Sequence, residues 1–327
     1  MTPLVDPQGR TVRDLRISIT DRCPFRCTYC MPEEGLQWLP RDELLSFEEL
    51  TRVARVCVER FGFTSIRLTG GEPTARAHLP VLVEQLYALG VDLAMTTYGA
   101  TMRLLAQDLK RAGLDRVNIS CDSLRPERFH AMTRRDALPA VLDGIDAALE
   151  AGFSPVKVNT VLVRGVNDDE AVDFAAFGRD KGVEVRFIEF MPLDADHKWT
   201  HEHVVPAAET LAAIDAVFPL EAVAPHGSAP ATTYRYKDGT GTVGVIASVT
   251  QPFCGDCDRV RLTAEGRFRT CLFATDETDL RAVLRDGGSD DDVAATITAA
   301  VGTKWAGHQI GQVTFIQPSR SMSQIGG

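Results

Sequence analysis

The sequence predicts an α/β protein whose core is a parallel sheet. Between Leu15 and about Met191, six short β-rich runs alternate with amphipathic stretches of helical period. A glycine stands just past each of five helical stretches, where a helix end favours a left-handed residue. Strands that alternate with helices form either an open, doubly wound sheet or a sheet curled into a partial barrel.

The elements of this core follow in chain order. The predicted strands are LRISIT (15–20), SIRLTGG (65–71), DLAMTT (92–97), RVNIS (116–120), PVKVNTVLV (155–163) and VEVRFIEFM (183–191). The predicted helices cover residues 46–61, 79–89, 101–112, 138–151 and 169–181. The first helix opens on SFEE, a capping box formed by Ser46 and Glu49. The glycines that follow the helices are Gly62, Gly90, Gly113, Gly152 and Gly182.

The pattern changes after about Asp196. A helix is expected near Pro206–Phe218, followed by a hairpin that turns at Asp238–Gly241 and by a second unit that is mainly β and then helical. The chain therefore divides into a core of residues 1–195 and a C-terminal domain of residues 196–327. The tail SRSMSQIGG carries no packing pattern and ends in two glycines.

Composition excludes several classes of protein. The net charge of −10 argues against extended nucleic-acid binding, which needs a basic face, and leaves room for a small anionic ligand. No apolar stretch approaches the roughly 20 residues that cross a bilayer, so a cytoplasmic protein without a membrane partner is expected. In a reducing compartment, the eight cysteines are metal ligands, reactive thiols or small buried residues rather than disulfides.

Several strand-like runs carry a cation where a buried parallel strand is expected to be apolar. With a period of two, these cations share a face with hydroxyl and amide side chains, and the opposite face is apolar. The polar faces are Arg16/Ser18/Thr20, Arg67/Thr69 and Lys157/Asn159. For any one cation, a solvated strand end or a structural carboxylate such as Glu184 or Glu189 is an alternative explanation. For all three, an anionic substrate such as a polyphosphate in a barrel lumen explains them better.

The first cysteine triplet is CxxxCxxC and follows the first strand, at the strand end where barrel active sites are built. Its members are Cys23, Cys27 and Cys30. Three thiolates can hold three irons of a [4Fe–4S] cluster and leave the fourth iron open for chemistry. The alternative is a structural zinc site completed by a distant residue such as His78 or Cys57.

A second triplet, spaced CxxCx13C, also stops one ligand short. Its members are Cys254, Cys257 and Cys271, whereas Cys57 and Cys121 are expected to be small buried residues. Arg259 and Arg261 begin two residues after Cys257, which favours a functional role. The next pair, Arg267 and Arg269, fits either a functional role or the solvated face of a hairpin.

The first triplet, with Tyr29 before its last cysteine, and the TGGEP turn at 69–73 resemble the radical S-adenosylmethionine (SAM) superfamily. Within it, longer segments resemble the GTP 3′,8-cyclase family of molybdenum cofactor biosynthesis. These segments are RDLRISITDRCPFRCTYCMP, IRLTGGEP, VNISCDS, VKVNTVLVRGVNDDE, EVRFIEFMP, FCGDCDRVRLTAEGRFRTCLFA and SMSQIGG. The resemblance implies a partial (βα)6 TIM barrel with a C-terminal α+β extension that carries a second cluster.

The resemblance also implies the roles of single residues. The two triplets would bind two [4Fe–4S] clusters, one for SAM cleavage and one for the guanine base. The implied SAM contacts are Tyr29, Gly71, Ser120 and Met191. The implied GTP contacts are Arg16, Arg67, Thr96, Lys157, Arg259 and Arg261. The implied catalytic group is Arg16, Arg259, Arg261 and the terminal Gly326 and Gly327, which would reach into the active site.

The activity implied is that of a radical SAM lyase, in which a 5′-deoxyadenosyl radical takes the C3′ hydrogen of GTP and C3′ joins guanine C8. The implied partners are an electron donor such as flavodoxin or ferredoxin, cyclic pyranopterin monophosphate synthase as the next enzyme, and a second copy in a homodimer. Two rival functions remain, namely a peptide-modifying radical SAM enzyme with auxiliary clusters and a zinc-stabilised scaffold without catalysis.

The chain departs from the family at two positions. Tyr98 stands in TTYG where the family usually has asparagine, a residue suited to positive φ in a tight turn, and this bears on the geometry around Thr96. Cys121 stands where the family usually has leucine, which is expected to be a small core substitution. Neither position is a predicted cluster ligand.

Overall fold

The structure, a computed structural model, describes residues 1–224 and 227–326. The core strands are β1 (Asp14–Ser18), β2 (Ser65–Thr69), β3 (Asp92–Thr97), β4 (Arg116–Ser120), β5 (Val156–Leu162) and β6 (Glu184–Glu189). The helices between them are α1 (Phe47–Phe61), α2 (Leu79–Tyr87), α3 (Met102–Arg111), α4 (Pro126–Thr133), α5 (Leu138–Glu150) and α6 (Ala171–Lys181). The remaining elements are α7 (Ala207–Asp215), β7 (Leu220–Ala222), β8 (Thr232–Tyr236), β9 (Thr242–Ile246), β10 (Arg259–Leu262), β11 (Arg267–Arg269), β12 (Thr278–Asp279), α8 (Leu280–Arg285), α9 (Asp290–Val301) and α10 (Met322–Ile325).

The order of the core strands distinguishes between the two predicted architectures. Strands β1 to β6 lie side by side in chain order, and each neighbouring pair is parallel. A doubly wound sheet reverses its strand order at a switch point, whereas the wall of a barrel does not. The core is therefore a partial barrel, and all six predicted strands are confirmed.

Strands from the C-terminal part of the chain continue this sheet at both edges. At one edge β10 pairs parallel with β1 and is followed by antiparallel β11 and β12. At the other, β9 pairs parallel with β6 and is followed by antiparallel β8 and β7, which confirms the predicted hairpin. The backbone donors and acceptors at the edges of the parallel core are thus paired within the chain.

The helices pack on the apolar faces of the strands, as the period of two predicted. Leu15, Ile17, Ile66 and Leu68 are at most 1% exposed and belong to one continuous core. Ser46 caps α1 with the predicted capping box. The predicted helix-end glycines all have positive φ, between 69° and 101°, which shows why side-chain-bearing residues are disfavoured there.

Two features differ from the sequence predictions. Helix α4 was not predicted, because it has only eight residues and no extended apolar period. The tail, expected to lack packing, forms α10 and buries Ile325 to 1% exposure beside Leu193 and Phe273. A single isoleucine makes no period, so its distant partners cannot be read from the sequence. Within the described residues, no helix is both long and apolar enough to cross a bilayer.

Candidate active site

A cavity of about 1590 Å³ runs through the lumen of the partial barrel. It extends from residues at the strand starts, such as Asp14 and Asp92, to loops beyond the strand ends, such as those of Gly71 and Asp122. The predicted site residues that line it are Arg16, Cys23, Cys27, Tyr29, Cys30, Arg67, Gly71, Thr96, Ser120, Lys157, Met191, Arg259 and Arg261. The fold therefore brings residues from positions 16 to 261 of the chain together in one site.

The other predicted site residues lie behind the cavity wall or outside the described part of the chain. The second triplet does not line the cavity, although its neighbours Gly255, Asp256 and Leu272 do. Gly326 is buried next to the lumen. The prediction for Gly327 falls outside the described residues.

The cations of three strands lie in one row across the sheet. Arg16 on β1 is in register with Arg67 on β2 and with Arg261 on β10. The row faces the lumen, because every second residue of a strand points to the same side. Two of the three cations predicted by strand parity, Arg16 and Arg67, are thus brought together by strand register, and Arg261 joins them; Lys157 lies outside this row, in register with Asn118.

Two arginines of this row, Arg16 and Arg67, and the nearby Arg259 present hydrogen-bond donors that the described protein leaves unused. Arg16 Nε, two nitrogens of Arg67 (Nε and Nη1) and two of Arg259 (Nε and Nη2) are buried and have no partner among the described residues. Burial, followed by the nearby Arg16, lowers the pKa of Arg67 to about 9. Buried donors without acceptors and neighbouring like charges are both costly, and an anion with several oxygens would relieve both.

Lys157 differs from the arginines because it has a carboxylate partner. Its Nζ lies 3.8 Å from Glu184 Oε1, which also accepts a hydrogen bond of 2.5 Å from Arg186 Nε. Burial and the charge of Arg186 lower the pKa of Lys157 to about 8. A structural carboxylate thus explains part of the environment of Lys157. The suggested partner Glu189 was wrong, since its carboxylate accepts backbone N–H groups, including that of Ala207.

Arg186 is a lumen cation that the sequence analysis missed. It lines the cavity from β6 and is paired in register with Asn159 on β5. The signal was available, because the parity of VEVRFIEFM places Arg186 on the same face as Glu184 and Ile188, which also line the cavity.

The first triplet occupies a loop at the end of β1 with its three thiols half-buried and facing the cavity. The carbonyl of Cys27 accepts the backbone N–H groups of Cys30 and Met31, which tightens the loop into a turn. Arg26 donates a hydrogen bond of 2.6 Å to the carbonyl of Cys23. The turn therefore presents all three sulfurs on the lumen side.

Without a metal, the thiols of the first triplet keep their protons. Burial raises the pKa of Cys23 and of Cys30 to about 12, and that of Cys27 well above its usual value. A coordinated metal ion is what removes the proton from such a thiol. Across the described ranges, no three His, Cys, Asp or Glu residues surround a single ion position. A four-iron cluster takes one thiolate per iron, so its ligands do not converge on one ion.

The residues suggested to complete a zinc site lie elsewhere. Cys57 is fully buried in the apolar core on α1, and Cys121 is 1% exposed, which confirms the prediction for both. His78 is exposed on the loop before α2. Neither Cys57 nor His78 lines the cavity that the first triplet faces.

Asp122 is a second residue that the sequence analysis did not single out. Its Oδ2 accepts a hydrogen bond of 2.6 Å from the hydroxyl of Tyr29, and its Oδ1 accepts one of 2.8 Å from the N–H of Val161. Burial raises the pKa of Asp122 to about 6. The signal was a carboxylate just after β4, at the strand end where barrel sites form. Asp122 fixes the orientation of Tyr29 in the loop of the first triplet.

The TGGEP turn lies against the loop of the first triplet. A Cβ on Gly71 would lie 2.6 Å from the carbonyl oxygen of Asp21, so only glycine fits this approach. The next residue, Glu72, is 1% exposed and accepts hydrogen bonds from Thr97 Oγ1 (2.7 Å) and from the N–H of Tyr98 (2.8 Å). Glu72 therefore joins this turn to the one after β3, and it too was missed.

Tyr98 fits the TTYG turn without the positive φ for which asparagine is suited. The positive φ of the TTYG turn is at Gly99, with 85°, and Tyr98 is not among the positive-φ residues of the described chain. Its ring stacks on Phe25, between the first two cysteines, with centroids 4.2 Å apart and an interplanar angle of 26°. The aromatic side chain thus packs on the loop of the first triplet.

We expect Tyr98→Asn to lower the free energy of unfolding by about 1–3 kcal/mol, because the mutation removes the stacked ring and the apolar area that it covers. Tyr98→Phe keeps the ring and should stay within about 0.5 kcal/mol of the parent. Anaerobic denaturant unfolding of the three proteins measures both. Equal losses in the two variants would contradict the stacking explanation.

The second triplet lies at the start of β10 and just after β11. Burial alone would raise the pKa of Cys257, but Arg259 and Lys304 bring it below its usual value.

The two arginines of β11, Arg267 and Arg269, have different environments. Arg267 is paired with Asp279 at 2.8 Å and is one-third exposed. The solvated alternative was wrong for Arg269, which is 2% exposed and ion-paired with Glu277.

The C-terminal tail enters the site from the side of the second triplet. Arg320 forms ion pairs of 2.6 Å with Glu265, in the turn between β10 and β11, and with Glu277, just before β12, and these pairs anchor the tail. The carbonyl of Gly326 accepts a hydrogen bond from Arg261 Nη1. A Cβ on Gly326 would clash with the hydroxyls of Ser18 and Thr69, so glycine is required there.

Comparison with known families gives two matches that together span most of the chain. The description Radical SAM superfamily matches residues 17–178, and the description Molybdenum Cofactor Synthesis C matches residues 183–310. The first region contains the end of β1, all of β2 to β5 and the first triplet, and the second contains the whole second triplet.

Curated relatives are similar over almost the full length. A GTP 3′,8-cyclase of Streptomyces coelicolor is 51% identical over 99% of this chain and 96% of its own length. One of Mycobacterium sp. strain KMS is 52% identical over 99% and 94%. Among solved structures, Streptococcus suis SuiB bound to S-adenosylmethionine has a TM-score of 0.58 at 11% identity, covering 89% of this chain and 69% of that chain. The structural likeness concerns the fold alone.

Proposed function

The chain belongs to the GTP 3′,8-cyclase family of the radical SAM superfamily, and we propose that its lumen binds GTP on the cation-bearing strands and SAM beside the first triplet. The enzyme cyclises GTP in molybdenum cofactor biosynthesis. The observation that carries the proposal is the set of buried, unused donors on Arg16, Arg67 and Arg259, which share one cavity with the three half-buried cysteines of the first triplet.

The first triplet would hold three irons of a [4Fe–4S] cluster and leave the fourth for SAM. Tyr29, Gly71, Ser120 and Met191 line the same end of the lumen and would contact SAM. When bound, the cluster and SAM would supply the 5′-deoxyadenosyl radical chemistry that removes the C3′ hydrogen of GTP and allows the bond from C3′ to guanine C8. Because Gly71 has no side chain, its turn packs directly against the backbone of Asp21 and Arg22 before the first triplet, and Asp122 keeps Tyr29 oriented.

The cations position the substrate. The proposed GTP contacts are Arg16, Arg67, Thr96, Lys157, Arg259 and Arg261, all of which line the cavity. An arginine fork suits bidentate contacts with phosphate oxygens. Arg16, Arg259 and Arg261 are the proposed catalytic cations, together with the tail of Gly326 and Gly327. The hydrogen bond from Arg261 to the Gly326 carbonyl would hold that guanidinium in place before substrate binds.

Cys254, Cys257 and Cys271 would hold a second [4Fe–4S] cluster that binds the guanine base. Support comes from the half-buried thiols and from the cavity-lining residues Gly255 and Leu272 next to them. A site for the base here and cations on β1, β2 and β10 would place the nucleotide across the lumen. The reacting carbon would then be held near the first triplet.

The cellular context follows from the chemistry. Oxygen-sensitive clusters suit a reducing cytoplasm, where we expect the enzyme to act. We propose that the electron donor is of the flavodoxin or ferredoxin type and that the product passes to cyclic pyranopterin monophosphate synthase. We also propose that the enzyme is a homodimer whose chain divides into domains of residues 1–195 and 196–327.

An anaerobic assay tests the function. Iron-replete protein incubated with SAM, GTP and dithionite should form 5′-deoxyadenosine and a cyclised nucleotide in parallel, both measured by chromatography with mass detection. Replacement of GTP by a peptide should give no modified peptide. Iron-replete protein that makes neither product would contradict the proposal, and a modified peptide would favour the rival enzyme.

A further inference from the structure

Lys304 is a buried cation that the proposed reaction does not use. It follows α9 in the segment Lys304–Gly307 and is 3% exposed. Its Nζ donates to the carbonyl of Arg259 at 2.8 Å and to the carbonyl of Thr270, and it lies 3.9 Å from Cys257 Sγ. An ammonium group has three donors, so these contacts use all of them.

Among the residues that the structure describes, Lys304 contacts no carboxylate. The two carbonyl oxygens satisfy hydrogen bonds but carry no net charge, and the remaining contact is a sulfur atom. A buried charge without a counter-charge is strongly unfavourable. In this position, the ammonium group of Lys304 would face the negatively charged sulfur ligands of the second cluster, which would supply the missing counter-charge.

The position of Lys304 also connects the two parts of the second triplet. Arg259 follows Cys257 by two residues, and Thr270 directly precedes Cys271. A single ammonium group therefore holds the backbone beside both cysteines, although 14 positions separate 257 from 271 in the sequence. Substitution at Lys304 would change their spacing as well as their charge.

The rest of the segment Lys304–Gly307 packs on Cys254, the remaining cysteine of the second triplet. A Cβ on Gly307 would lie 2.9 Å from Cys254 Cβ and 3.2 Å from its sulfur. Arg10 donates to the carbonyl of Cys254 at 2.5 Å and to that of Ala306 at 2.8 Å, and its charge is compensated by Asp6 at 2.6 Å. Arg10 therefore braces the segment, whereas the charge of Lys304 remains available to the triplet.

We propose that Lys304 is a positioning residue of the second cluster, which holds the backbone beside Cys257 and Cys271 and places a positive charge next to the sulfur of Cys257. This inference rests on the second cluster of the proposed function. Nearby positive charge and hydrogen bonds to the sulfurs favour the reduced state of an iron–sulfur cluster. Lys304 would thus raise the reduction potential of the second cluster.

The test uses the full chain with Cys23, Cys27 and Cys30 replaced by alanine, so that only the second cluster gives an electron paramagnetic resonance signal. In this background, Lys304→Met should lower the reduced-to-oxidised ratio at a fixed poised potential by about tenfold or more. Lys304→Arg keeps the charge and should stay closer to the parent. Lys198→Met, which removes an exposed lysine, is the matched control and should have no effect.

The outcomes separate this inference from the second cluster itself. A parent without iron in the second triplet overturns both. If the parent is loaded with iron and Lys304→Met has the same reduction potential as the parent, only the role of Lys304 is overturned. If only Lys304→Met loses iron and Lys304→Arg retains it, the inference is supported; equal iron loss in both contradicts it. If Lys304→Met does not fold, Lys304→Gln replaces it under the same criteria, because its amide can still donate but has no charge.

Discussion

Arg259→Ala is expected to reduce GTP cyclisation by about 10²–10⁴-fold while most SAM cleavage persists. Arg259 is 9% exposed, and its Nε and Nη2 have no partner among the described residues. Two charge-assisted hydrogen bonds to phosphate contribute about 3–6 kcal/mol, which corresponds to that change in rate. The first triplet, where SAM would bind, is not altered by this substitution.

The measurement is the yield of cyclised nucleotide and of 5′-deoxyadenosine from the same reaction. Arg267→Ala is the matched control, because Arg267 lies on the same hairpin and is paired with Asp279. Arg259→Lys keeps the charge but loses the guanidinium fork, so its activity should be intermediate. Equal loss of both products in Arg259→Ala, at full iron content, would show that Arg259 does not act on the substrate side.

Cys27→Ala is expected to abolish 5′-deoxyadenosine formation and to lower the iron content from about eight to about four per chain, since one of two four-iron clusters loses a ligand. Cys257→Ala should also lose about four irons but should retain SAM cleavage without cyclisation. The two triplets therefore predict different phenotypes for the same chemical change.

Cys57→Ala is the control for both cysteine variants, because Cys57 is fully buried in the apolar core. It should keep about eight irons and full activity. Iron analysis, together with product quantification under argon, checks all three proteins. A Cys257→Ala protein with undiminished iron would rule out a cluster at the second triplet, and zinc in place of iron in the parent would favour the non-catalytic scaffold.

Most of the local structure could be predicted from the sequence, because it depends on neighbours in the chain. The period of two placed Arg16 and Arg67 on the lumen faces and Leu15 and Ile66 in the core. Helix ends were set by a cap and by glycines, as at Ser46. Where the local signal was short, as in the eight residues of α4, the prediction failed.

Two of the missed site residues, Asp122 and Glu72, have partners that are distant in sequence, whereas the partner of Arg186, Glu184, is only two positions away. Asp122 acts through Tyr29, 93 positions away, and Glu72 through Tyr98, 26 positions away. Arg269 is buried because Glu277 neutralises it, and Ile325 because Leu193 and Phe273 cover it. A periodic pattern has no information about such partners.

The sequence by itself determined the two cysteine triplets and the strand faces, since cysteine spacing and side-chain alternation are properties of a short segment. Only the tertiary structure decided that the strands form a partial barrel and that C-terminal strands extend both of its edges. It also aligned Arg16, Arg67 and Arg261 in one row and placed Gly326 and Lys304 beside the site. Register and docking depend on contacts between distant segments, and these form only when the whole chain is folded.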